Sequence, residues 1–133
     1  VTIIPSFLLK KIYKKGSLRL IEEGIAFELK NILAPGFITG INFVKINDTI
    51  YNSSFIKIIK SGVATLAEHV SSENPMLVKL NEDITCILNN EFDSGINCFS
   101  EPAAQLQKGI NNIIVELTSL DAGRVQINLS DMV

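Results

Sequence analysis

One side chain in this sequence is suited to moving protons near neutral pH: His69, in "AEHVSSENP", beside Glu68 and close to Glu73. An imidazole titrates in the physiological range, and an adjacent carboxylate can orient its ring, so the trio has the makings of a general base. The plainer reading is an incidental histidine in a polar loop, and it is preferred here. A histidine metal site needs several ligands converging, and the chain has no second histidine. Ser53, Ser54, Ser71 and Ser72 are candidate nucleophiles, yet no G-x-S-x-G elbow surrounds any of them. Glu22-Glu23 and Glu82-Asp83 pair carboxylates, but in apparent turns, where acids ordinarily face water. No glycine-rich cofactor fingerprint occurs. Residue chemistry therefore assigns no catalytic and no metal-binding residue to this chain.

The two cysteines, Cys86 and Cys98, are too few for a disulfide framework and lack metal-ligand spacing. Cys86 sits in the apolar run "DITCIL" as a small core residue, while Cys98 falls in a polar stretch. With 133 residues, the chain is long enough for one domain with a sizeable core. Its net charge of −2 gives no reason to expect nucleic acid, whose binders are basic over a whole face. Lys10, Lys11, Lys14 and Lys15 cluster, as lysines do on a solvated edge protected against strand pairing. No signal-peptide pattern opens the sequence, and no apolar run approaches the roughly 20 residues that span a bilayer. The expected compartment is the cytoplasm, with no membrane partner.

The elements that would position any site are strands. Ile25, Phe27 and Leu29 alternate with Ala26, Glu28 and Lys30; Val125, Ile127 and Leu129 alternate with Gln126, Asn128 and Ser130. Ile113, Val115 and Leu117 alternate with Ile114, Glu116 and Thr118. Glu22-Glu23-Gly24 reads as a hairpin turn and Asn47-Asp48 as a turn, and Gly123 suits the positive-φ position of a three-residue hairpin loop. A change of parity at Asn31 suggests a bulge. "MLVKL" and "DITCIL" read as a hairpin across Asn81-Glu82. "SFLLKKIYKKG" fits a short helix capped by Ser6, or a strand; the strand is preferred because "GSLRL" continues it. The predicted fold is a single-domain, all-β, antiparallel sandwich, jelly-roll-like, spanning residues 1–133.

Two regions depart from simple alternation. "FITGINFVKIN" is apolar on both faces, as a strand covered by the core on one side and by something else on the other. Residues 89–112 form a polar, Gly- and Pro-punctuated segment longer than most connections in compact domains. It carries Phe92, Ile96 and Phe99, which either pack over the sandwich rim or anchor a partner. Together with His69, Phe37 and Phe43, these are the candidate partner-interface or substrate-access residues. Sugar platforms lean on exposed aromatics, Trp above all; this chain has no Trp and only Tyr13 and Tyr51 beside its phenylalanines. That disfavours a free-standing carbohydrate- or ligand-binding module, which stays as the alternative, ahead of a self-associating structural protein.

Three sets of residues, in order, carry a family resemblance: Lys15, Gly16, Ser17 and Leu18; Gly24, Phe27, Leu29 and Asn31; Ser72, Glu73, Asn74 and Pro75. With the closing "NNIIVELTSLDAGRVQINLSDMV", they resemble the small β subunit of bacterial C-glycoside deglycosidases. The resemblance implies a β-sandwich partner to a larger, TIM-barrel-like catalytic α subunit in a hetero-oligomer. The α subunit would hold a divalent metal, typically manganese, and the acid–base residues. The complex would be a carbon–carbon lyase acting on a 3-oxo-glucosyl flavonoid or similar aglycone, and this chain would hold no cofactor itself.

Overall fold

The computed structural model describes residues 2–3, 5–89, 106 and 108–133. Among the described residues, eleven strands run in chain order: β1 (Thr2–Ile3), β2 (Arg19–Ile21), β3 (Gly24–Lys30), β4 (Gly36–Ile46), β5 (Thr49–Asn52), β6 (Ile56–Lys60), β7 (Val63–Leu66), β8 (Met76–Val78), β9 (Asp83–Leu88), β10 (Ile110–Ser119) and β11 (Gly123–Met132). A helix, α1 (Ser6–Ile12), follows β1, and single 3-10 turns occupy Ser53–Phe55 and Ala67–His69. The strands form two sheets. The larger has the order β1-β11-β10-β4-β5, with β8 beside the first residues of β4; the smaller has the order β2-β3-β9-β6-β7. All pairings are antiparallel except the short β1–β11 contact. The expected all-β antiparallel sandwich is therefore what forms.

Alternation explains the core. Successive strand residues point to opposite faces, and the inward set from both sheets interdigitates as one apolar layer. Phe27, Ile46, Ile56, Leu88, Ile113 and Val44 are completely enclosed in it. The turn readings hold where the turn is local. Ile21 pairs with Gly24 across Glu22-Glu23, and Ile46 with Thr49 across Asn47-Asp48. Ser119 pairs with Gly123 across three residues, with Gly123 at φ 69°. Gly24 is required for a different reason. At φ 151°, a Cβ there would lie 2.0 Å from the carbonyl oxygen of Leu88, so only glycine lets β3 approach the end of β9.

Three local expectations are corrected. Residues 6–12 are helical, not extended, because a helix puts Leu8 and Ile12 one turn apart against the core and leaves Lys11 and Phe7 in water. The strand reading would have placed charged Lys11 on the same face as Phe7. Asn31 marks no bulge: β3 ends at Lys30, and the Asn31 amide donates to the carbonyls of Ala34, Val78 and Lys79 at 2.8, 3.3 and 3.2 Å. It ties the chain leaving β3 to the chain leaving β8. Finally, β8 and β9 are no hairpin. β8 pairs with β4 in the larger sheet, β9 with β3 and β6 in the smaller, and residues 79–82 cross between the layers. β10 begins at Ile110, inside the expected segment 89–112, most of which lies outside the described residues.

β4 is bulged. Its register with β10 shifts between Glu116 and Leu117, and again between Thr118 and Ser119. At the first shift Asn42 is the extra residue, between Phe43, opposite Glu116, and Ile41, opposite Leu117. The bulge accounts for the broken alternation of "FITGINFVKIN" and turns its apolar residues to both sides of the sheet.

Candidate functional site

Three polar constellations stand out in the described structure, and His69 belongs to none of them. His69 ends the 3-10 turn whose first residue, Ala67, is buried, and its own side chain is exposed. Its carbonyl accepts from Asn74 Nδ2 at 2.8 Å, while its ring has no hydrogen-bond partner among the described residues. The Glu68-oriented imidazole is therefore not formed. Ser71 and Asn74 close a tight turn on each other, their backbone groups bonding reciprocally at 3.1 Å. Cys86 lies in the core, where burial pushes its thiol up to about 12, far from the reactive thiolate range. No group of three or more His, Cys, Asp or Glu among the described residues is arranged to hold a metal.

The first constellation joins the two sheets along one edge. Asp131, near the end of β11, faces inward; Tyr13, just after α1, bridges to Leu29 of β3. The Tyr13 hydroxyl donates to Asp131 Oδ2 at 2.6 Å, and the Gly16 amide donates to the same oxygen at 2.8 Å. The amide of Met132 donates to Oδ1 at 2.8 Å. Burial alone would raise the Asp131 pKa. Hydrogen bonds from Tyr13 and from the Gly16, Met132 and Leu18 backbone outweigh it and hold the carboxyl below its usual range. Tyr13 moves the other way: burial, then the bond to Asp131, raises the phenol well above its ordinary value. Beside them the enclosed Asn111 accepts from Asn47 Nδ2 at 3.0 Å, tying the start of β10 to the β4–β5 turn.

The second is built on Glu82, in the crossover from β8 to β9. Its carboxylate accepts from the Lys79 amide at 2.8 Å and from the Ser61 hydroxyl at 2.7 Å, with Lys60 Nζ at 3.5 Å. The Lys79 amide and the Ser61 hydroxyl pull its pKa down, against a smaller opposing effect of burial. Here an acid in a turn fastens that turn to the β6–β7 hairpin.

The third lies on the outer face of the larger sheet. Glu116 and Thr118 point outward from β10, opposite to the buried Ile113 and Val115. Asn42, placed on this side by the bulge, donates to Glu116 Oε2 at 3.0 Å and to Thr118 Oγ1 at 3.3 Å. Cross-strand rows set Asn52, Phe43, Glu116 and Gln126 side by side, followed by Ile50, Lys45, Ile114 and Asn128. Further along, Phe37 stands directly opposite Leu77, 42% and 39% exposed. Phe37 and Phe43, two of the expected interface residues, thus share this face, whereas His69 is on a separate connection. Phe92, Ile96 and Phe99 lie outside the described residues. Sequence reasoning passed over Glu116 and Asn42. The signals were there: Glu116 is the one charge within "INNIIVELTS", and Asn42 sits where the parity of β4 breaks.

Fold and surface together define a compact β-sandwich domain whose buried polar groups largely fasten its own layers and whose larger sheet offers a mixed apolar and polar face. The chain belongs to the hydroxymethylglutaryl-CoA reductase N-terminal domain family, whose model matches residues 8–133. No curated protein sequence matches it. The family match overturns the resemblance to C-glycoside deglycosidase β subunits, and with it the carbon–carbon lyase activity and the 3-oxo-glucosyl flavonoid substrate. The expected α subunit and its manganese rested on that resemblance. The motifs behind it are structural punctuation. Gly16 offers its amide to Asp131, Asn31 staples two loop ends, and Asn74 closes a turn. Any sandwich with connections of this shape needs residues of these types at such places.

Proposed function

We propose that this chain serves a hydroxymethylglutaryl-CoA reductase as an accessory β-sandwich domain, acting through contact with the reductase's catalytic portion rather than through chemistry of its own. The observation that carries this reading is the family match over nearly the whole chain. The arrangement of titratable groups supports it: Asp131 and Glu82 are engaged in fastening turns and sheets, and His69 stands alone at the surface. The apolar side chains on the outer face of the larger sheet fit a domain that works by docking. Among the described residues, no helix is long and apolar enough to cross a membrane.

The test is reconstitution. The catalytic portion of the reductase, this chain, and the two mixed are assayed for turnover of hydroxymethylglutaryl-CoA, and the mixture is examined by size-exclusion chromatography. The expected result is co-elution, with turnover present in the catalytic portion and absent from the isolated chain. Turnover by this chain alone, or separate elution at all concentrations tried, would overturn the reading.

A further inference from the structure

We draw no further inference here: the strongest candidate, the exposed apolar patch at one end of the larger sheet where Phe37 of β4 stands opposite Leu77 of β8 and the Leu120 amide donates to the Phe37 carbonyl, carries nothing because nothing in the structure shows what covers it.

Discussion

Asp131 and Glu116 lie on neighbouring strands of one sheet and are almost equally withdrawn from water, at 6% and 9% exposure. They have opposite surroundings. Asp131 faces inward, and its oxygens receive donors from Tyr13, Gly16 and Met132, so its cost of burial is met within the chain. Glu116 faces outward and has a single donor, Asn42. Burial by itself therefore does not tell what an acid is for. The number of its acceptor sites that the chain fills does: a saturated carboxylate is part of the fold, and an unsaturated one is available to something else.

This contrast is open to direct attack. Asp131→Ala should have the largest effect. It strands a buried phenol and a turn amide, and should destabilise the isolated domain by about 3 kcal/mol in urea unfolding. A loss below about 1 kcal/mol would show that the edge is held by apolar packing instead. Tyr13→Phe keeps the ring and removes one donor, so about 2 kcal/mol is expected.

Acid should act more gently on the same bond. The folded pKa of Asp131 is depressed, so its contribution is complete above the ordinary carboxylate value of about 4 and is lost as pH falls through the lower folded value. The raised Tyr13 pKa works at the other extreme: its contribution is present below about pH 10 and is lost as pH climbs beyond that. Asp131→Asn should flatten the acid limb of stability against pH. Smallest of all is Glu116→Gln, expected to change the stability of the isolated chain by no more than about 0.5 kcal/mol. A loss above about 2 kcal/mol would place Glu116 with Asp131 among the fold's own fastenings, and the contrast would disappear.

What could be read in advance followed the range of the interaction. The Gly123 hairpin and the Asn47-Asp48 turn depend on a few adjacent residues, and both form where expected. The sequence at 6–12 permits strand or helix because a seven-residue amphipathic stretch satisfies both periods, and the choice is made by Leu8 and Ile12 reaching a core assembled from distant strands. The supposed β8–β9 hairpin failed for a related reason. Two short apolar runs across a turn look alike whether they pair with each other or cross between layers. The family resemblance failed because turn-forming residues answer to backbone geometry, which unrelated sandwiches share.

The order of residue types along the chain was enough to dictate an all-β sandwich, its inward faces and most of its tight turns, since alternation and turn chemistry are properties of neighbours. Strand order, the pairing of Tyr13 with Asp131 across 118 positions, and the bulge that brings Asn42 to Glu116 were decided only on folding. Each depends on which distant strands lie side by side, and that is chosen by packing of the whole core rather than by any local run of side chains.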